Sequence, residues 1–495
     1  MSAASEVRGK AVRGIAWNIA TGIGVRGLQM AGTLAVTYFV NKEALGEVAN
    51  ASVVATNAHS FSSLGVPHYL VSRNTDRAAA WHGTVLLTLS GIVALAVAVA
   101  FQGPLGAWLK SPDLGRYLPL LALSTLMSRI AVIPERLLQQ QLKFRETSRA
   151  RGISEMAYTV TSLGFAIAGA GGMAIVIANL ARSGAQLVTL GMALSPREWL
   201  TPHPFDRRIV RDILSFGIPM GVAYWLTFAA RSADNLVVSA MFGASVVAVY
   251  NLAYNLADIP AAQVGEQVGD VLVPSFIHLD DDRRKAGVVR ATALLSLIVF
   301  PLAVGLGVVG PALATTLLPA AWASMGPMLT WLSVLSVVRP IGWTIGSYLQ
   351  TTRRSRTVMA LSAFRLAALL LAVGGLGRAF GPLGACAGVG VAFTLHMLAS
   401  AAIVIYRDGI SARGLMSSIA RPLAACVPLA AAALGAGAGL EALGLRAPLL
   451  VLTAQIAGGV IGYLVGVGLF ARGLAKDLLG LVKDLRRKKA APAPA

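Results

Sequence analysis

Five arginines lie inside long apolar runs of the chain: Arg26, Arg129, Arg182, Arg339 and Arg365. A guanidinium at the centre of a bilayer costs at least ~2.5–3.5 kcal/mol, so such residues persist only where they face protein or a wet cavity. Their neighbours form polar stripes. Asn18, Gly22, Arg26, Gln29, Thr33 and Thr37 follow at steps of three and four, and so do Asn179, Arg182, Gln186 and Thr189. Ser333, Ser336, Arg339, Trp343 and Ser347 do the same, with Pro340 beside the arginine as a kink. Such steps align side chains on one face of a helix. Arginines on inward polar stripes make a cationic lumen. Arginine stays charged at any physiological pH, and its planar fork matches phosphate oxygens. The chemistry expected is therefore recognition of a phosphate- or pyrophosphate-bearing molecule. The competing reading of each arginine is snorkelling, or pairing with a carboxylate or carbonyl.

Acidic groups in the runs are fewer. Asp234 follows Arg231 by three residues, which allows either a local ion pair or a coupling-ion site or gate. Asn251, Asn255 and Asp258 share a stripe, and Glu155, Thr159 and Ser162 make another.

These residues need spans to hold them. The chain has 495 residues, 56% hydrophobic and 13% charged, with mean hydropathy +0.69. Soluble domains carry about a quarter charged residues, so lipid must be the solvent over most of this length. A span needs roughly 20 apolar residues. Candidates fall at 15–39, 46–70, 82–102, 115–136, 148–169, 171–193, 210–231, 243–263, 286–309, 325–349, 357–376, 381–405, 418–440 and 448–471. The fold class predicted is an all-α polytopic membrane protein of about fourteen transmembrane helices. The formal net charge is +20. In a membrane protein that balance reflects topology rather than nucleic acid. With the N-terminus inside, the inner connections collect nearly all Lys and Arg outside the spans, which predicts both termini cytoplasmic.

The predicted organisation is an N-terminal six-helix bundle (1–193), a cytoplasmic linker (194–209), a second six-helix bundle (210–405), two additional helices (406–472) and a basic amphipathic tail (473–495). In that tail Leu474, Leu478, Leu481 and Leu485 alternate with Lys and Arg, the pattern of a helix on the anionic inner leaflet.

Catalytic patterns are absent. The sequence has no phosphate-cradling G-x-x-x-x-G-K-[ST], no H-E-x-x-H and no G-x-S-x-G. Its histidines have no acidic partner at acyltransferase spacing, and Cys386 and Cys426 read as packing residues. No cofactor, no metal and no enzymatic activity are expected.

A set of short motifs carries a resemblance: Ala44-Leu45-Gly46-Glu47-Val48-Ala49, Ser63-Leu64-Gly65-Val66, Ile133-Pro134-Glu135-Arg136, Leu214-Ser215-Phe216-Gly217-Ile218-Pro219, Ala233-Asp234-Asn235, Ala248-Val249-Tyr250-Asn251, Val273-Pro274-Ser275-Phe276 and Ala321-Trp322. In this order they resemble the Wzx-type polysaccharide flippases of the MOP superfamily, over roughly residues 10–410. Ala248 stands where a glycine is usual. The resemblance implies two six-helix bundles around a central cavity plus two C-terminal helices. It implies alternating access in a bacterial inner membrane, carrying an undecaprenyl-diphosphate-linked oligosaccharide outward for exopolysaccharide, O-antigen or capsule synthesis. Partners implied are membrane lipids, a coupling cation (proton or sodium) and glycan polymerase or export machinery. Substrate contacts are expected from Arg26, Arg129, Arg182, Arg339, Arg365, Asn18, Gln29, Asn179 and Gln186, and coupling or gating from Asp234, Arg231 and Asp258. The rivals are an ion-coupled multidrug antiporter, which calls for acidic lumen residues, a glycan polymerase or ligase, which calls for a large outer loop, and a scaffold subunit.

Overall fold

A computed structural model describes residues 31–72, 77–141, 143–258, 280–352 and 354–480. Asn18, Arg26 and Gln29 lie outside them. The described residues are helical and contain no strand. They form two compact units, 1–249 and 250–495.

The first unit holds α1 (31–36), α2 (Lys42–Phe61), α3 (Val66–Ser72), α4 (Arg77–Ala100), α5 (Gln102–Trp108), α6 (Leu114–Gln140), α7 (Phe144–Ile167), α8 (Met173–Ala193), α9 (Arg207–Phe242) and the start of α10 (244–258). Side-chain caps start the helices that follow connections. Asn41 accepts from the Ala44 amide at 2.9 Å, and Asp206 accepts from the Arg208 amide at 2.7 Å. Gly243, at φ 82°, ends α9. Apolar cores fill the unit, a small one of Val36, Val40, Ala166 and Ala174 and two larger ones. Leu70, Leu87, Ile133, Leu138, Trp199 and Ile213 belong to one, and Val48, Leu95, Leu109, Leu114 and Leu118 to the other.

The predicted span 46–70 is not one helix. It breaks between Phe61 and Val66, where Leu64 and Gly65 both turn left-handed (φ 49° and 67°). Tertiary contact fixes the break. A Cβ on Gly65 would lie 1.9 Å from the Gly217 carbonyl oxygen, and one on Gly217 would lie 2.2 Å from that of Leu64. α3 and α9 thus cross backbone to backbone. One helical turn on, a Cβ on Gly221 would lie 2.7 Å from the Gly65 nitrogen. Tyr69 donates to Asp212 at 2.8 Å, and the Asp206 amide donates to His82 at 3.0 Å. These contacts tie α9 to the first unit, so that unit runs on to residue 249, past the 194–209 connection at which the helix count divides the chain.

The second unit holds the rest of α10, α11 (Asp281–Leu317), α12 (Met325–Leu332), α13 (Val334–Thr351), α14 (Ser355–Asp408), α15 (Ala412–Ala442), α16 (Pro448–Phe470) and α17 (472–480). Asp280 caps α11, accepting from the Arg283 amide at 2.9 Å. Lys285 donates to Asp281 at 2.7 Å, which holds that exposed carboxyl below its ordinary range and the ammonium above. Val288, Phe300, Ile341, Ile345 and Val404 make the core. α14 is two arms. Gly381 leaves helical geometry (φ 67°, ψ −156°) ahead of Pro382, and the arms fold back. A Cβ on Gly384 would lie 2.1 Å from the Leu376 oxygen, and one on Gly388 2.5 Å from that of Ala372. The break falls at the first residue of the predicted span 381–405, just beyond the end of 357–376. α15 and α16 pair in the same way, with Gly458, Gly462 and Gly466 facing the backbone of Ala432, Pro428 and Ala425.

Among the described residues, eight helical stretches are long and apolar enough to cross a membrane, the two arms of α14 being taken as one. Their outer faces are apolar: Leu89, Val93 and Val97 form an exposed stripe on α4 at steps of four. A stripe of this kind in lipid is solvated, not orphaned. The chain is a multi-pass membrane protein.

Candidate functional site

Arg129, on α6, is 0% exposed. Its guanidinium has five N–H donors and, among the described residues, six polar neighbours. Nε donates to the Leu87 carbonyl at 2.5 Å. Nη1 donates to the His59 carbonyl at 2.8 Å and the Ser62 hydroxyl at 3.0 Å, and lies 3.3 Å from the His59 Nδ1. Nη2 donates to the Ser62 carbonyl at 2.5 Å and the Ser90 hydroxyl at 3.0 Å. The His59 and Ser62 carbonyls belong to the last turn and C-cap of α2, just before its break. A cation there satisfies carbonyls left without intrahelical donors. Gly91 makes room, since a Cβ at that position would lie 2.6 Å from the Arg129 Cδ and Nε. Arg129 thereby clamps α2, α4 and α6, and its N–H groups are met by protein acceptors among the described residues.

Arg182 is built differently. It lies on α8 with its side chain 35% exposed and pairs with Glu155 of the neighbouring α7. Its guanidinium carbon sits 5.5 Å from the centre of the Tyr158 ring, one turn from Glu155. Ser183 hydrogen-bonds Ser124 at 2.9 Å and Ser128 at 2.8 Å, which fixes α8 against α6 beside the arginine. Among the described residues, its partners are one carboxylate and one ring face. Asn179 bonds the Ile175 carbonyl of its own helix at 2.8 Å, and Gln186 is half-buried on the same face of α8.

Arg339 repeats the arrangement in the second unit. From α13 it pairs with Asp258 of α10 and donates to the Tyr254 hydroxyl at 2.5 Å. It lies 5.5 Å from the Tyr254 ring centre and 4.8 Å from that of Phe393. Arg365, on the first arm of α14, lies 5.6 Å from the same Phe393 ring. Two cations thus share one aromatic side chain on the second arm. The structure joins Arg339 to Asp258 directly and to Arg365 through Phe393, a grouping that the separate stripes of Arg339 and Asp258 did not require. Tyr158, Tyr254 and Phe393 were missed by sequence reasoning. The signal available was an aromatic residue three or four positions from each stripe carboxylate, Tyr158 after Glu155 and Tyr254 before Asp258.

Asp234 is buried (1% exposed) on α9 in the first unit, beside Asn235 and one turn before Ser239, which donates to the Leu109 carbonyl at 2.8 Å. The side chain of Arg231 lies outside the described residues. A cavity of about 460 Å³ in the second unit is lined by Val304, Gly307, Pro311, Val337 and Leu434, with only Thr330 and Ser333 polar. It suits an apolar occupant, not a phosphate. Among the described residues no cluster of His, Cys, Asp and Glu has the make-up of a metal site.

Comparison with known proteins follows the same lines. The sequence profile of a family described as "Polysaccharide biosynthesis protein" matches residues 36–327. The chain is 24% identical over 380 residues to the lipopolysaccharide biosynthesis protein WzxC of Escherichia coli (strain K12), covering 72% of this chain and 73% of that protein. It is 25% identical over 332 residues to the succinoglycan biosynthesis transport protein ExoT of Rhizobium meliloti (strain 1021), covering 65% of each. Among solved structures it is similar in fold to the lipid II flippase MurJ in an inward closed conformation, with TM-score 0.72 at 12% identity, covering 92% of this chain and 99% of that one. An inward-facing MATE-family multidrug transporter of the MOP superfamily gives TM-score 0.62 at 14% identity, covering 80% and 94%.

Proposed function

Because the chain belongs to the polysaccharide biosynthesis protein family, we propose that it is a flippase, not an enzyme, for a lipid-linked, anionic oligosaccharide. The substrate is an undecaprenyl-diphosphate-linked repeat unit, carried from the cytoplasmic to the periplasmic leaflet of a bacterial inner membrane by alternating access. Both chain termini are cytoplasmic, and about fourteen spans cross the bilayer. A proton or sodium gradient drives the cycle, and a glycan polymerase receives the product.

The observation that carries this reading is the pair Arg182 and Arg339. Each sits in a span, is oriented by an aromatic ring, and has donors beyond those its described partners use. Charge-assisted, two-pronged contact to phosphate oxygens is what such a fork does best. A drug-cation antiporter of the MATE fold would need the opposite sign at these positions.

The test is export. Arg182→Ala and Arg339→Ala, checked for membrane insertion, are expected to lower surface glycan by tenfold or more, on the order of 1.4 kcal/mol or above in transport barrier. The lipid-linked repeat unit should accumulate on the inner leaflet. Lysine variants keep the charge without the fork and should recover part of the activity. Normal export by both alanine variants would refute the assignment of these arginines.

A further inference from the structure

Each arginine proposed as a phosphate contact already holds an anion. Arg182 holds Glu155 and Arg339 holds Asp258. The two pairs use unrelated helices: α7 with α8 in the first unit, α10 with α13 in the second. Each adds an aromatic face to the guanidinium, Tyr158 for Arg182, Tyr254 and Phe393 for Arg339. Arg129, which clamps three helices, has no carboxylate among its partners in the described residues. The carboxylates thus accompany the two arginines with donors to offer and not the saturated one. We infer that Glu155 and Asp258 are internal counter-anions: each occupies its arginine while the carrier is empty and is exchanged for a substrate phosphate oxygen on loading. This rests on the reading of Arg182 and Arg339 as phosphate contacts.

The physical case is a competition. A lone guanidinium in a span is costly, so an empty carrier needs a partner for it. A permanent, fully satisfying partner would leave nothing for the substrate, as at Arg129. One carboxylate with one-pronged contact lies between these extremes. A phosphate adds a second anion beside the first, and like charges at that distance repel. The carboxylate yields, while the aromatic rings keep the guanidinium in place. When the diphosphate leaves, the carboxylate returns and the arginine is again neutralised. Release is thereby assisted by a group already attached to the protein. Without it, binding would be tighter and turnover slower.

The full-length chain in detergent, titrated calorimetrically with inorganic pyrophosphate, tests the exchange. Glu155→Gln and Asp258→Asn remove the competing charge and keep the side-chain size. Each is expected to bind pyrophosphate about fivefold to tenfold more tightly than the unaltered chain and to export surface glycan more slowly. Asp258→Glu, which restores the charge, should bind as the unaltered chain does. Equal or weaker binding by the amides overturns the inference and leaves the carboxylates as fixed supports of the arginines. If Asp258→Asn is not recovered in a monodisperse state, Glu155→Gln decides alone. Failure of the underlying reading has a different signature. In that case Arg182→Ala and Arg339→Ala bind pyrophosphate as before and export normally, whatever the amide variants do.

Discussion

At the scale of residues, three buried or half-buried arginines with the same sequence credentials take two different roles. Each lies in an apolar run, and Arg182 and Arg339 also sit on clear polar stripes. What separates them is how many donors are taken. Arg129 meets three carbonyls and two hydroxyls at 2.5 to 3.0 Å, whereas Arg182 and Arg339 meet a carboxylate and aromatic faces. Arg129→Ala strips donors from five buried acceptors, each of which costs roughly 1–3 kcal/mol if left unmet. Even with partial repair, a loss on the order of 3 kcal/mol is expected, read as a lower midpoint of thermal unfolding in detergent. Pyrophosphate binding by the folded fraction should be unchanged, the reverse of the pattern for Arg182→Ala. Depth in the membrane was legible in the sequence because it follows from apolar length. The partner across the gap was not. Nothing near Arg129 in the chain points to the carbonyls of Leu87 and Ser62, and nothing near Arg339 points to Phe393. Glu155 and Asp258 were visible as stripe residues, but their pairing with arginines on other helices is a tertiary fact.

At the scale of elements, hydropathy located spans well where their ends are set by local chemistry. The turn inside α14 falls at Gly381–Pro382, a dipeptide whose conformational preferences announce a stop. The caps Asn41, Asp206 and Asp280 likewise follow from residue type. The break between α2 and α3 was not legible, because Leu64 adopts φ 49° against its own preference under contacts made by α9 and near the carbonyls held by Arg129. Gly65→Ala tests that contact. It places a Cβ 1.9 Å from a carbonyl oxygen at a left-handed position, adding about 1–2 kcal/mol of backbone strain to a clash that no rotamer relieves. Little monodisperse protein is expected on size-exclusion chromatography. Gly374→Ala, where a Cβ would meet nothing within 4 Å, should be recovered at the level of the unaltered chain.

At the scale of the molecule, charge is the informative quantity. Lys and Arg cluster in alternate connections along the sequence, and the excess of +20 fits the proposal that the inner connections collect them. On the proposed orientation, which puts the turn before α14 inside, alkaline phosphatase fused after Arg354 is expected to be inactive. The same enzyme fused after Gly444, between α15 and α16, should be active. Reversed activities would invert the orientation and with it the direction of transport. The helix count divides the chain at 194–209, and across that connection α9 is held to α3 by glycines that hydropathy ignores. That crossing also bears on genetics. When two side chains collide, a smaller residue on the opposite helix can restore the fit, and second-site suppressors arise. Between Gly65 and Gly217 main chain meets main chain, and there is no smaller residue to choose. A selection for suppressors of Gly65→Ala should therefore return true revertants and none on α9. Two short motifs, far apart along the chain at Gly65 and Gly217, are bound to be inherited as one.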